Sequence, residues 1–243
     1  MNDNKSAYNA SIYDENIVNV LPYYTEYHGQ VIDLVKSMDT EKPKWLDTGC
    51  GTGTLALRAM AAIPGAEFTL CDPSDKMLAE AKTKFAEAKN KLAEAQTKLA
   101  EAKTKLANQD IRFLQMSSGE LPFENEFDVV TAIQCHHYYQ PEEREHAVRR
   151  CYEALKESGI FITFENIRMS TDESEAFALK RWSRFLALHG NTPEDIQMQM
   201  DRRGTEVFPI TIEQHLKLLK KCGFRSVNLL WASYLQAGFW AVK

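Results

Sequence analysis

A glycine-rich segment preceded by an acidic residue is the part of this sequence best suited to ligand chemistry. The segment Trp45–Ala56 reads WLDTGCGTGTLA, with Asp47 two residues before the first glycine. Glycines let a backbone pass close beneath a ligand, and the free N–H groups of a following helix attract a carboxylate or a phosphate. A dinucleotide fingerprint would need glycine where Thr54 stands, and an aspartate here would repel a pyrophosphate. The same aspartate would suit an ammonium group.

A second acidic residue, Asp72, ends the apolar run EFTLCD, about 20 residues after the glycines. An acid at the carboxyl end of a second parallel strand faces the ligand crevice and can accept hydrogen bonds from both ribose hydroxyls. A ribose on one side and an amino acid on the other describe S-adenosylmethionine (SAM), so the two motifs together predict a SAM site. The competing interpretation of Asp72 is a helix N-cap beside Pro73 and Ser74.

Short apolar runs alternate with amphipathic stretches along most of the chain, which indicates β–α–β crossovers and a mostly parallel sheet. The predicted strands are KWLDT, EFTLCD, IRFLQM, FDVVTAI and GIFITFEN. Helices are predicted from about Thr54, from about Pro141 and over Ile212 to Lys221, with a polar helical region at about Thr171 to Arg202. The final runs, FRSVNLLW and QAGFWAVK, lie too close together for a crossover, so they predict an antiparallel hairpin at a sheet edge.

Residues 82–109 are four similar heptads that predict a long helix inserted after the second strand. One heptad position holds Phe85, Leu92, Leu99 and Leu106, and the position three residues later holds Ala88, Ala95 and Ala102. With Ser74 as N-cap, this helix would extend to about Asn108 over about 50 Å, so residues 75–109 would form a projecting arm.

Two interpretations of this arm remain open. It is either a solvated extension or an element that pairs with another copy or an acidic partner through its Leu/Ala seam. Lysines flank the seam on both sides and oppose a symmetric pairing. The homodimer through the heptad helix is the prediction carried forward.

Composition limits the class of protein. The 243 residues are 44% hydrophobic with a formal net charge of −5, which fits a single α/β domain over residues 1–243 with no bulk attraction to nucleic acid. No window approaches the roughly 20 apolar residues of a membrane span. Five scattered cysteines without a C-x-x-C pair and six histidines without an H-E-x-x-H pattern indicate a reducing cytoplasm and no metal site. The prediction is a cytoplasmic protein that acts on a small molecule.

The motifs LDTGCGTG, LCDPSDKML and ELPFENEFDVVTAIQCHH resemble those of the class I SAM-dependent methyltransferases, over about Tyr23 to Glu165. The resemblance implies a Rossmann-like sheet of seven mostly parallel strands, with helices on both faces and an antiparallel last strand. It also implies adenine contacts after the third strand, where this chain has serines and the family commonly has an acid. The cofactor-binding residues predicted on these grounds are Asp47, Gly49, Cys50, Gly51, Gly53, Asp72, Pro73, Met77, Ser117, Ser118 and Gln134.

Methyl transfer from a sulfonium needs chiefly an aligned nucleophile and a site that excludes water. A general base is required only for a nucleophile that arrives protonated, and His136, after the fourth strand, is the predicted base. The alternative is a histidine that only hydrogen-bonds its loop. Residues 167–210 are predicted to form a helical insertion on the substrate side. The predicted substrate-binding residues are Tyr23, Tyr27, His137, Arg168 and Arg203.

The predicted function is therefore SAM-dependent methylation of a small or medium-sized acceptor. Three segments, YDENIVNVLPYYTEYHGQVIDLV, DRRGTEVFPITIEQHLKLLKKCGF and LLWASYLQAGFWAVK, resemble the group of tRNA wobble-uridine methyltransferases and carboxy-SAM synthases. That resemblance implies that Arg202 or Arg203 holds a carboxylate. A synthase-like or tRNA-modifying enzyme is thus one alternative, and a cofactor-binding scaffold that uses the heptad arm for interaction is another.

Overall fold

The computed structural model describes residues 5–95 and 111–243. The strands of this part of the chain are β1 (Lys44–Thr48), β2 (Glu67–Asp72), β3 (Arg112–Gln115), β4 (Phe127–Ile133), β5 (Leu155–Asn166), β6 (Ser226–Ser233) and β7 (Gln236–Val242). They form a seven-stranded sheet in the order β3-β2-β1-β4-β5-β7-β6. Neighbouring strands among β1 to β5 are parallel, whereas β7 runs antiparallel to both β5 and β6. The mostly parallel sheet and the C-terminal hairpin are as predicted.

Helices cover both faces of this sheet. They are α1 (Tyr13–Val20), α2 (Tyr24–Lys36), α3 (Thr54–Ala62), α4 (Asp75–Ala95), α5 (Pro141–Ala154), α6 (Asp172–Leu188), α7 (Pro193–Asp201) and α8 (Ile212–Lys221). Side chains alternate across the strands, so Trp45 packs into one core with α2, α3 and α4, and its neighbour Leu46 packs into another with α5 and α8. Among the described residues, none of the helices combines the length and apolar character needed to span a bilayer.

A third apolar cluster joins the two ends of the sequence. It contains Ile17 and Val20 of α1 and Trp182 and Leu186 of α6. The Trp182 indole N–H also donates to the backbone carbonyl of Val20 at 2.9 Å. The N-terminal helix and the region 167–210 therefore pack together. That region forms the two helices α6 and α7 within the predicted polar helical region.

The heptad region is described only in part. Helix α4 is described to Ala95, and the first seam residue, Phe85, is buried in the domain core with its ring 5.8 Å from that of Phe113. That seam position therefore serves intramolecular packing. Leu99, Ala102 and Leu106 lie outside the described residues, so the projecting arm and the homodimer stay predictions.

The packing of β5 against β7 generates a stability prediction. A Cβ atom on Gly238 would overlap the Phe164 ring, and that ring stacks on Tyr27 at 4.8 Å in the core. We expect Gly238→Ala to lower the free energy of unfolding by about 1–3 kcal/mol through overpacking. Gly29→Ala is the matched control, because its added methyl meets nothing within 4 Å in helix α2, and it should raise stability by about 0.5–1 kcal/mol. Urea unfolding followed by circular dichroism tests both, and equal effects would contradict this account.

Candidate functional site

The glycine loop joins β1 to α3 with backbone angles that favour glycine. Gly49, Gly51 and Gly53 have φ values of 64°, 54° and 73°. A Cβ atom on Gly49 would lie 2.6 Å from the Cβ of Cys135, whereas one on Gly51 would meet nothing within 4 Å. The first glycine thus allows the loop to approach the loop after β4, and the second exposes bare backbone to open space, as a closely bound ligand requires.

Asp72, at the end of β2, ties this loop to the start of α4. Its Oδ2 accepts the Gly51 N–H at 2.8 Å, and its Oδ1 accepts the Ser74 N–H at 2.9 Å. The Ser74 hydroxyl in turn accepts the Met77 N–H at 3.0 Å, which caps the first turn of α4. The capping role belongs to Ser74, while Asp72 fixes the geometry of the loops around the cavity.

Asp47, at the end of β1, is a buried carboxylate beside the glycine loop. Its Oδ1 accepts a hydrogen bond from the Thr131 hydroxyl at 2.6 Å, and that hydroxyl itself accepts the Trp45 indole N–H at 2.9 Å. Burial raises the pKa of Asp47 to about 7, against the lowering effect of the Thr131 hydrogen bond and with a further raising effect from Asp72. Such a carboxylate would gain most from a bound cation.

These groups line a cavity of about 320 Å³ at the carboxyl ends of the strands. Tyrosines from three parts of the chain complete its wall, namely Tyr13, Tyr24, Tyr138 and Tyr139. A smaller cavity of about 50 Å³ adjoins it and shares the lining residues Ser6, Tyr13, Gln134 and Tyr138. Within residues 5–95 and 111–243, no three His, Cys, Asp or Glu side chains are grouped to hold a metal ion.

Comparison with known proteins agrees with this geometry. Residues 46–161 match the family model described as "Methyltransferase domain". The chain is 25% identical over 237 residues to the carboxy-S-adenosyl-L-methionine synthase of a Nitratiruptor species, and the match covers 96% of this chain and 90% of that protein.

Two solved structures share the fold. Magnesium protoporphyrin IX methyltransferase of Synechocystis PCC 6803, with bound SAH (S-adenosylhomocysteine), matches with a TM-score of 0.60 at 20% identity over 93% of this chain and 85% of that one. Human N-acetylserotonin methyltransferase in complex with SAM matches with a TM-score of 0.55 at 18% identity over 96% of this chain. The chain spans 58% of the length of the human enzyme.

Residues 46–161 thus match a methyltransferase domain, and the chain shares the fold of two SAM-dependent methyltransferases. Its cofactor is SAM. The described residues fit that group, because the open backbone at Gly51 admits a ligand and the desolvated carboxylate of Asp47 suits its ammonium. Asp72 would receive the ribose hydroxyls, and the carboxyl oxygens that already accept backbone N–H groups retain further lone pairs for them.

Ten of the eleven predicted cofactor residues lie in the wall of the larger cavity. They are Asp47, Gly49, Cys50, Gly51, Asp72, Pro73, Met77, Ser117, Ser118 and Gln134. Gly53 is not among the lining residues, and a Cβ atom there would lie 2.9 Å from the Phe85 ring. This third glycine serves the packing of the loop against α4.

His136, the residue predicted as general base, does not line either cavity. Its Nε2 is 3.0 Å from the Ser118 hydroxyl, and its ring lies against Phe161 at 6.2 Å. Burial lowers the pKa of His136 to about 4, although Glu165 acts to raise it. The geometry assigns His136 a structural position beneath the cofactor cavity rather than contact with a reacting atom.

The predicted substrate residues separate into two groups. His137 and Arg203 line the smaller cavity. Tyr27 is fully buried and donates its hydroxyl to the Pro22 carbonyl at 2.8 Å, so it belongs to the core. Tyr23 is 51% exposed, and Arg168 pairs with Asp172 on the surface. Neither residue lines either of these two cavities.

Sequence reasoning missed Asp14, which fastens α1 over the glycine loop. Its Oδ1 accepts hydrogen bonds from the hydroxyls of Thr52 at 2.7 Å and Thr54 at 3.1 Å, and its Oδ2 forms an ion pair with Lys84 of α4. No motif signals this residue, because its partners are distant in sequence. It holds Tyr13 at the wall shared by the two cavities.

The raised pKa of Asp47 predicts that cofactor binding releases a proton. The ammonium of SAH favours the ionised carboxylate, so the pKa falls on binding and affinity rises as the pH increases through about 7. Below that value we expect affinity to fall by up to about tenfold per pH unit. Titration calorimetry with SAH in buffers of different ionisation enthalpy measures the proton release.

Asp47→Asn is the corresponding control and should bind SAH weakly without proton release. Thr131→Val removes a hydrogen bond that favours the ionised form, so the midpoint of the pH dependence should move upward. An affinity of the unsubstituted protein that stays constant between pH 6 and 8 would contradict the role given to Asp47.

The contacts of Asp14 predict slow cofactor exchange. Asp14→Asn removes the charge paired with Lys84 and weakens the hydroxyl contacts, so the dissociation of SAH should be about tenfold faster. Glu15→Gln makes the same change at an exposed position of α1 and should leave the rate unchanged. Stopped-flow displacement of SAH tests this, and equal dissociation rates for the two variants would show that Asp14 does not restrain exchange.

Proposed function

We propose that this methyltransferase transfers the SAM methyl group to a small anionic acceptor bound in the smaller cavity. The observation that supports this most directly is the position of that cavity, which shares four wall residues with the cofactor cavity. An acceptor there would lie next to the cofactor, as in-line displacement requires.

The charge of the smaller cavity favours an anion. Its described lining includes the guanidinium groups of Arg202 and Arg203 and no carboxylate. Arg202 pairs with Glu206 at 2.8 Å and Arg203 with Glu175 at 2.5 Å, but each guanidinium has five N–H donors and retains some for a ligand. The buried amide nitrogen Nε2 of Gln199 in the same wall has no hydrogen-bond partner among the described residues. Residues 167–210 supply these three side chains, which supports their proposed role as the substrate-side insertion.

A second candidate is the synthesis of carboxy-SAM, in which the cofactor itself is modified. It is favoured by the similarity to carboxy-S-adenosyl-L-methionine synthase over 96% of the chain and by the two arginines beside the cofactor cavity. Both candidates use SAM and an anionic reactant, so the reaction products distinguish them.

Mass spectrometry of the products tests the proposal. The protein is incubated with SAM and a panel of small hydroxy acids, including 4-hydroxybenzoate and 3,4-dihydroxybenzoate, and separately with SAM and prephenate. Formation of SAH with a methylated acid supports the transferase. A carboxylated cofactor that forms only with prephenate would replace the proposal with the synthase.

Two arginine variants test the acceptor site. Arg203→Gln should raise the KM of a hydroxy acid that the protein methylates by about 10- to 100-fold, because a charged hydrogen-bond donor is lost. The affinity for SAH should change little. Arg168→Gln is the matched control on the surface and should leave KM unchanged. An unchanged KM in Arg203→Gln, with the fold verified by thermal unfolding, would remove Arg203 from the acceptor site.

A further inference from the structure

A histidine and a glutamate form a buried pair at the edge of the smaller cavity. His137 Nδ1 is 2.8 Å from Glu165 Oε2, at the carboxyl end of β5. Both side chains are almost fully buried, and His137 is among the residues that line the cavity. This pair results from the fold, since the two residues are 28 positions apart and meet where β4 and β5 end side by side.

The glutamate is held in place by four donors. The backbone N–H of His137 and the hydroxyl of Thr163 donate to it at 2.9 Å and 2.7 Å, and the backbone N–H of His136 at 3.3 Å. The imidazole completes the set. Burial acts to raise the pKa of Glu165, but the hydrogen bond and charge of His137 outweigh it and lower the pKa to about 2. Glu165 is therefore a fixed anion.

A fixed anion at Nδ1 determines the orientation and tautomer of the ring. The backbone N–H of Asn166 also lies 3.4 Å from Nδ1, but the shorter contact of 2.8 Å is to a carboxylate, which only accepts hydrogen bonds. Nδ1 therefore carries the proton, and in the neutral form of the ring the lone pair is at Nε2. Within residues 5–95 and 111–243 no group hydrogen-bonds to Nε2. Since Nε2 is not one of the fully buried polar atoms that lack a partner, it is accessible. Nε2 is thus left available at the cavity, on the side where the acceptor would bind.

We propose that His137 is the general base of the transfer and that Glu165 is its positioning residue. This inference rests on the proposed function. The acceptor heteroatom forms a bond to the methyl carbon while the carbon–sulfur bond breaks, and that electron pair stays on sulfur. The proton of the acceptor O–H or N–H moves to Nε2, and solvent later removes it. The imidazolium formed in this step is stabilised by Glu165.

The pair also has a place in the acceptor site. Arg202 and Arg203 line the same cavity as His137, so an acceptor can present its anionic group to the guanidinium groups and its hydroxyl or amine to Nε2. Carboxy-SAM synthesis also removes a proton, because the methyl group loses one when the carboxyl carbon bonds to it, so the reaction products and not the base distinguish the two candidates.

The first test needs no acceptor. In the SAH complex of the full chain labelled with 15N-histidine, NMR should show His137 protonated at Nδ1 and not at Nε2 in its neutral form. Glu165→Gln should abolish that preference. A neutral ring with its proton on Nε2 in the unsubstituted protein would overturn the proposal, whatever the acceptor is.

The second test measures single-turnover methyl transfer to 3,4-dihydroxybenzoate, or to another acid of the panel that the protein is found to methylate. His137→Gln should lower the rate by about 100-fold or more while the SAH dissociation constant changes by less than about twofold. His189→Gln makes the same change at an exposed site and should keep the full rate. A His137→Gln rate within about threefold of the unsubstituted protein would overturn the proposal.

The two failures are distinguishable. If the unsubstituted protein methylates no acid of the panel, the proposed acceptor class fails and the NMR result still decides the state of His137. Glu165→Gln should lower the rate of transfer without altering the KM of the acceptor, because Glu165 acts on the base and does not line either cavity. A change in KM alone would assign Glu165 to the architecture of the site and overturn its positioning role.

Discussion

The carboxylate of Asp72 joins the loop after β1 to the loop after β2, and the cofactor cavity depends on that connection. One oxygen accepts the N–H of Gly51 and the other that of Ser74, so the glycine loop and the start of α4 are fixed relative to one another. Glycine adopts the left-handed backbone of Gly49 and Gly51 without strain, and the bond to Asp72 holds Gly51 in that conformation. Folding therefore arranges the cavity wall before the cofactor arrives, which reduces the ordering cost of binding.

The N-terminal segment and the region 167–210 are built onto this framework. Asp14 attaches α1 to Thr52 and Thr54 of the glycine loop, and Trp182 packs against the same helix from the other side. The residues shared by the two cavities come from the N-terminal segment and from the loop after β4, and they are Ser6, Tyr13, Gln134 and Tyr138. Helix α1 therefore contributes Tyr13 to both cavities.

The sequence predicted the features that depend on where strands end. It did not predict the features that depend on the direction in which a side chain points. Alternation identified the sheet, and the glycine motif, the acid that ends β2 and the family resemblance together identified ten cavity residues, because carboxyl ends of parallel strands converge. His136 and His137 lie in one 3₁₀ turn, and nothing in their spacing reveals which ring faces the cavity. Glu165 could have been predicted, since it is an acid near the end of a strand. Tyr27 is of a residue type that often binds ligands, but it packs in the core.

The wall residue Gln134 explains how two ionisable sites can operate side by side. Its amide donates to Gln236 at 2.8 Å, and the Gln236 amide donates to Asn166 at 3.0 Å. These groups hydrogen-bond without carrying charge, so they form no ion pair with the carboxylate of Asp47 or the imidazole of His137. Were a charged side chain placed at Gln134, it would pair with one of them in this low-dielectric wall. The neutral wall leaves Asp47 to the cofactor ammonium and His137 to Glu165.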